Sequence, residues 1–352
     1  MQEKIRKSLG FRKGVIMGRV QDDIKEIILR ENLFSELQGK KILVTGATGL
    51  IGSMVVKTLL YANKEHNLKI EIIGQIRNTE KAKLIYGDLF EAISFIHDVN
   101  IKCDFIVHTV SPTTSRFFIE HPVETIRTSV SSTMDVLEVA RSNNANMVYL
   151  SSMEQYGIPY ESGQIMTEDK VGIIDHLNVR SSYSESKRLC ECLCASYSEE
   201  YGVNVKIARL AQTFGAGIPS SDNRMPIQFA KSVVEGKDIV LHTEGKSVSN
   251  FVYLTDAITG IFVMLSKGIS GQAYNICNDN ETRSVREIAD LVANEVAKGN
   301  IRVLVEKKEN MGYAPDVNMY LNSEKLQSLG WSPYVGMKDA YLRLVQYLEE
   351  GR

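Results

Sequence analysis

The chain has 352 residues, of which 43% are hydrophobic, and a formal net charge of -2. That length suits one large or two-lobed globular enzyme with a real core. The near-neutral balance leaves no basic excess for neutralising phosphates, which argues against nucleic acid as the main partner. No apolar run approaches the roughly 20 residues that span a bilayer, so no membrane association is expected. The basic N-terminus (Lys4, Arg6, Lys7, Arg12, Lys13, Arg19) lacks the apolar stretch of a signal peptide. A solvated or interface arm and cytoplasmic residence are therefore expected. Five cysteines (Cys103, Cys190, Cys192, Cys194, Cys277) form an odd, sparse set that does not suggest a disulfide framework. Cys190 and Cys194 share one helical face and Cys192 points away. No His or carboxylate cluster has metal-ligand spacing, and no metal is expected.

In chain order, residues 1–40 read as a polar extension with one helix near 22–30, where Ile24, Ile27 and Ile28 repeat at helical spacing. An apolar strand at 41–44 leads into a glycine turn, a helix at 50–61 and a strand at 70–76. A further strand ends at His97-Asp98, and another covers 105–110. A helix at 122–142 precedes a strand at 147–150, a long helix at 181–201 and a strand at 203–210. This alternation predicts an α/β fold with a parallel, doubly wound sheet. Beyond Gln212 the units shorten, and Ser284-Val285-Arg286-Glu287 reads as a capping box opening a helix.

The turn Thr45-Gly46-Ala47-Thr48-Gly49-Leu50-Ile51-Gly52 lies between a predicted strand and a predicted helix. Gly46 permits the tight turn, Gly49 lets the backbone approach a pyrophosphate, and Gly52 lets helix and strand pack closely. Thr48, Leu50 and Ile51 complete the cradle at the helix N-terminus, whose N–H groups and dipole favour an anion. An NAD site usually has an acid at the end of the second strand, but Ile73-Gly74-Gln75-Ile76-Arg77-Asn78 has none. Arg77 either meets the 2′-phosphate of NADP or is a solvated arginine, so NAD and NADP both stay open.

Downstream, Ser151-Ser152 ends a strand, and Tyr183-Ser184-Glu185-Ser186-Lys187 puts Tyr183 and Lys187 on one helical face. Tyrosine, with an ordinary pKa near 10, needs neighbouring positive charge to act as a base. Ser152 is placed to orient a substrate oxygen. A glycine turn followed by Ser and Tyr-x-x-x-Lys resembles the extended short-chain dehydrogenase/reductase superfamily. Within it, the chain resembles the NAD-dependent epimerase/dehydratase family that modifies nucleotide sugars. The resemblance covers about residues 41–331, with further landmarks at Val252-Tyr253-Leu254-Thr255-Asp256 and Leu329-Gly330-Trp331. It implies a Rossmann-type NAD(P)-binding domain at 41–211 and a smaller, mainly substrate-binding α/β lobe at 212–352, with strands returning to the first. It also implies that Asp98 contacts the adenine and that the helices at 122–142 and 182–201 pair across a homodimer.

Ser152-Met153-Glu154-Gln155-Tyr156-Gly157 resembles the Ser/Thr-x-Glu-x-Tyr-Gly stretch of dehydratases and UDP-glucuronate decarboxylases. In dehydratases an aspartate beside the glutamate protonates the departing hydroxyl. Met153 stands there and cannot, which disfavours water elimination. Glu154 is expected as an acid or base, or as part of a local hydrogen-bond network. Arg180 with Lys187-Arg188 resembles the decarboxylase version of the helix. It either balances a substrate carboxylate or makes a surface or interface ion pair. The family's anchors for a nucleotide diphosphate are altered: its Asn after the sixth strand is Gln212, and two arginines are Ser249 and Tyr313, the latter three before the retained Asp316. At about 1.5–3 kcal/mol per charge-assisted bond, two lost cations matter. Arg224, Lys231, Lys246 and Arg283 are candidate replacements. The expectation is transient oxidation of a nucleotide sugar at C4, with a decarboxylase- or epimerase-like outcome. An NADPH-dependent ketone reductase is the enzymatic alternative. A non-catalytic dinucleotide sensor is the alternative of another class, disfavoured by the intact Ser152, Tyr183 and Lys187.

Overall fold

A computed structural model describes residues 18–30, 33–307 and 318–351. Tyr313, Asp316 and the arm residues Lys4 to Lys13 lie outside them. The strands run β1 (Lys41–Thr45), β2 (Glu71–Gln75), β3 (Ser94–Ile96), β4 (Phe105–His108), β5 (Asn146–Ser152), β6 (Ile165–Met166), β7 (Val205–Leu210), β8 (Gln212–Phe214), β9 (Ile239–Leu241), β10 (Val248–Tyr253), β11 (Ala273–Ile276), β12 (Asn278–Ser284), β13 (Val303–Val305) and β14 (Tyr320–Leu321). Seven of them make one parallel sheet in the order β3-β2-β1-β4-β5-β7-β11. This is the doubly wound Rossmann-type arrangement, in which the strand order reverses between β1 and β4 and opens a crevice at their C-terminal ends. Ile42, Leu43 and Val44 of β1 are all fully buried, which is why this strand reads as a continuous apolar run instead of alternating.

The helices that position the site are α1 (Arg19–Ile28), α2 (Leu50–His66), α3 (Thr79–Tyr86), α4 (Ser115–Glu120), α5 (Pro122–Asn143), α6 (Ser182–Tyr201), α7 (Met225–Glu235) and α8 (Leu254–Lys267). Pro122 opens α5 at its first turn, and α6 stops at Gly202, where φ is +69°. Cys190 and Cys194 are buried in α6 and Cys192 is exposed, as their spacing predicts. After Gln212 the chain builds the three-stranded sheet β12-β10-β8 over a second apolar cluster around Phe214, Phe251 and Tyr341. It also returns to the first sheet, because β11 pairs with β7 and the almost wholly buried α8 packs on β5 and β7. Ser284 and Glu287 form the expected capping box.

The expectation of a solvated arm fails for residues 18–30. The expected helix is present as α1, and Val20 with Ile24, Ile27 and Ile28 forms its buried stripe, packed on the protein instead of solvated. Asp23 is fully buried. It pairs with Arg19 at 2.7 Å and Arg343 at 3.2 Å, and the Tyr253 hydroxyl donates to it at 2.7 Å. The Glu350 carboxylate accepts from the Arg19 N–H, tying the start of α1 to the C-terminal helix Met337–Glu350. Arg30 reaches Asp256, whose carboxylate also accepts from the N–H groups of Tyr334 and Val335. Trp331 donates to the Asp256 carbonyl at 3.1 Å, so the two downstream landmark strings meet in space. Asp23→Ala would leave two largely buried guanidinium groups short of a partner. It should lower stability by about 3 kcal/mol in urea denaturation, by the usual cost of breaking a buried ion pair.

Candidate active site

The glycine turn leaves β1 at the point where the strand order reverses. Gly46 has φ +64°, and a Cβ there would lie 2.7 Å from Thr109 Oγ1. A Cβ on Gly52 would come within 2.4 Å of the Gly46 carbonyl. Glycine at both positions is therefore required by the protein's own packing. Gly49 differs: a Cβ there would meet only the Gly46 carbonyl, at 3.3 Å, and the residue is exposed. Gly49 also precedes α2, whose N-terminus has no side-chain cap. Thr48, Leu50 and Ile51 are half-buried around it. Such a turn fits a dinucleotide pyrophosphate, which would be held by backbone N–H groups and the helix dipole. The Ala47 N–H donates to the Gln75 carbonyl at 3.1 Å, joining the turn to the end of β2. Arg77 is exposed just beyond it, and Asp98 is exposed after β3, accepting from the Asn100 N–H.

Ser152 ends β5, and Tyr183 and Lys187 are buried in the first turns of α6. Lys187 Nζ donates to the Leu150 carbonyl at 2.7 Å and lies 5.7 Å from the Tyr183 ring centroid. Burial brings its amine down to about 8, which leaves it a cation at neutral pH. Burial also pushes the Tyr183 phenol up, and Glu154 adds to this; a Ser152 hydrogen bond and the Arg224 charge pull it back. Two features here escaped the sequence. The Phe118 ring of α4 stacks flat on Tyr183, with centroids 4.3 Å apart and planes at 8°. Buried His108, hydrogen-bonded to Thr45 and Thr133, is pushed down to about 3 by burial and then by Lys187, so it is neutral and adds no charge.

The 3-10 turn Met153–Tyr156 follows Ser152 and carries Glu154, whose backbone N–H donates to Ser152 Oγ. Glu154 and Arg180 form an ion pair at 3.4 Å. Burial raises the Glu154 carboxyl and Arg180 lowers it. Ser249 Oγ is 3.6 Å from the Met153 sulfur, which places that altered position beside the catalytic turn. The structure adds a neighbour that no local spacing reveals. Arg283 on β12 is the direct antiparallel partner of Ser249 on β10, and directly opposed residues share one face of a sheet. Arg283 is paired with Glu281 at 2.7 Å. Arg224 is clamped by Asp222 and the Thr213 carbonyl, and Lys231 donates to the Asp222 carbonyl. Gln212 is exposed on β8, opposite Phe251, and Lys246 is exposed before β10.

A family model described as NAD dependent epimerase/dehydratase matches residues 42–277, a span holding the glycine turn, Ser152, Tyr183 and Lys187. The chain belongs to this family. UDP-glucuronic acid decarboxylase 6 of Arabidopsis thaliana is 30% identical over 315 residues, covering 88% of this chain and 89% of that protein. UDP-glucuronic acid decarboxylase 1 of Danio rerio is 28% identical over 345 residues, covering 94% and 79%. Among solved structures, UDP-glucose 4-epimerase of Thermotoga maritima, crystallised with UDP-glucose, superposes with a TM-score of 0.73 at 18% identity, covering 88% of this chain and 99% of that one. The protein is thus an enzyme of the NAD-dependent epimerase/dehydratase family, and the last likeness bears on the fold alone. Because a Cβ at Gly49 would press only on the Gly46 carbonyl, at 3.3 Å, Gly49→Ala should cost less stability than Gly52→Ala yet bind a dinucleotide roughly tenfold or more weakly in calorimetric titration. Gly52→Ala should instead lose about 1–3 kcal/mol of stability through overpacking.

Proposed function

We propose that this enzyme oxidises C4 of a nucleotide sugar to a transient ketone and that the ketone enables loss of a neighbouring carboxylate. The observation that carries this reading is the ion pair of Glu154 and Arg180 beside Ser152, with unreactive Met153 between the serine and the glutamate. The two relatives that are UDP-glucuronic acid decarboxylases support the same outcome.

The turn at 46–52 would hold a dinucleotide, which would supply a reversible hydride acceptor. The remaining work falls to side chains. Ser152 donates to the substrate oxygen and fixes its position. Tyr183 takes the C4 hydroxyl proton, with Lys187 and Arg224 supplying the positive potential that favours a phenolate. A carboxylate on C5 is then β to the ketone. Arg180 orients that carboxylate as its bond to C5 breaks. Carbon dioxide leaves, the bonding electrons pass into an enolate, and protonated Glu154 returns a proton to C5. Burial raises the Glu154 carboxyl and so favours its holding that proton. Met153 has no proton to give, so water elimination lacks its acid. Arg283, beside Ser249, is the cation we assign to the substrate diphosphate. An epimerase-like outcome follows if the ketone is re-reduced from its other face.

A homodimer is part of the proposal, formed by the packed pair α5 and α6. Val123, Ile126, Met134 and Leu189 are exposed on these two helices. Cytoplasmic residence fits the free cysteines. Among the described residues no helix is long and apolar enough to cross a membrane.

The test is mass spectrometry of UDP-glucuronate incubated with purified protein and, in parallel, NAD or NADP. A product lighter by one carbon dioxide supports the reading, and unchanged substrate together with inertness toward other nucleotide sugars would sink it. Tyr183→Phe should slow turnover by about 10²–10⁴-fold, the range of a lost acid–base group. Arg180→Ala should move the alkaline limb of the pH–rate profile upward, because Glu154 acts in its protonated form and Arg180 is what lowers its carboxyl. An unmoved limb would exclude Glu154 as the group that titrates there.

A further inference from the structure

The end of β2 carries two positive side chains that nothing in the catalytic reading uses. Arg77 is exposed two residues past the strand and makes no ion pair or hydrogen bond among the described residues. Lys81, one turn into α3, is half-buried, and its amine likewise has no acid partner among them. Burial lowers the Lys81 amine, and the charge of Arg77 lowers it further, so the two cations sit close enough to repel. Neighbouring polar groups that might relieve them are already committed. Glu80 pairs with Lys83 at 3.0 Å, Asn78 caps α3 by accepting from the Lys81 N–H, and Asp98 accepts from the Asn100 N–H.

The location decides which anion. Gln75 ends β2, its carbonyl takes the Ala47 N–H of the glycine turn, and its side chain donates to the His97 carbonyl at 3.4 Å. This is the strand end over which the adenosine ribose of a bound dinucleotide lies, where an acid would accept from the 2′-hydroxyl. An amide stands there instead, and it does not repel a phosphate. We infer that Arg77 and Lys81 form a 2′-phosphate site and that this enzyme takes NADP(H) in preference to NAD(H). Arg77 provides a planar fork of donors and Lys81 a point charge, and a phosphate dianion turns their mutual repulsion into attraction to a shared partner. The inference rests on the dinucleotide reading of the turn at 46–52 and is independent of the sugar and of the reaction outcome.

The experiment is calorimetric titration of the full chain with NAD+ and with NADP+, repeated with 5′-ADP and 2′,5′-ADP, which differ at the 2′ position alone. NADP+ should bind at least about tenfold more tightly than NAD+, and 2′,5′-ADP should show the same advantage over 5′-ADP. The double variant Arg77→Ala/Lys81→Ala should lose about 10–100-fold in affinity for NADP+ and change by less than about threefold toward NAD+. Gln75→Asp should weaken NADP+ through like-charge repulsion and so narrow or invert the preference. A melting curve of each variant confirms that it is folded. NAD+ binding as tightly as NADP+, or a preference that survives the double variant, overturns the 2′-phosphate site and leaves the dinucleotide reading intact. If neither dinucleotide binds, that reading fails along with the site.

Discussion

The register between α6 and β5 is the constraint on which the rest of the site depends. Lys187 locks it by donating to the Leu150 carbonyl. One turn further on, Glu191 accepts from the Ser151 hydroxyl and from Arg209 of β7 at 2.8 Å. Arg209 continues to the Tyr156 hydroxyl at 2.9 Å, and that hydroxyl donates to Asn275 at 2.8 Å. Three adjacent strands, the catalytic helix and the turn carrying Glu154 are thus joined through buried polar groups that satisfy one another. Removing one member would strand the others without partners, and networks of this kind confer rigidity for that reason. Tyr156 shows how a motif residue can be structural. It belongs to the string that marks the catalytic turn, yet its hydroxyl faces the network behind β5 and not the cleft.

Rigidity of this sort sets the electrostatics. Tyr183 is held under Phe118 where burial alone would make its phenol a poorer base than in water. Lys187 is held where burial makes it a weaker cation. Both shifts disfavour a phenolate beside an ammonium, and charge brought by other elements offsets the first of them. Arg224 reaches the site from the start of α7, and a bound oxidised nicotinamide would add to the same potential. The chain beyond Gln212 therefore contributes, through the Arg224 charge, to the electrostatics around Tyr183.

What could be read from sequence was whatever depends on local spacing. The glycine turn, Tyr183 with Lys187, the capping box at Ser284 and the division of the cysteines into buried and exposed follow from periods of a few residues along one element. Phe118, the Arg224 charge and the Ser249–Arg283 pairing depend on elements far apart in the chain coming together, and no period encodes them. The N-terminal helix was misjudged for a related reason. The spacing of Ile24, Ile27 and Ile28 marks the helix, but not its burial, because its buried acid Asp23 is satisfied by Arg343 and Tyr253, which lie over 200 positions away.

Two departures from the family pattern share a physical logic. Where the family resemblance leads one to expect a diphosphate-binding arginine, the chain has Ser249, and the adjacent strand presents Arg283 on the same face. At the ribose position an amide replaces an acid, and two cations stand unneutralised a few residues on. Under the proposed mechanism proton transfer tolerates little displacement, because Tyr183 and Ser152 would both have to meet one substrate oxygen within hydrogen-bonding range. Recognition of a phosphate is more forgiving. The anion offers several oxygens, and long side chains reach it from more than one backbone position. The chemistry of such a site can therefore stay fixed on β5 and α6 while the charges that choose cofactor and substrate move to neighbouring residues.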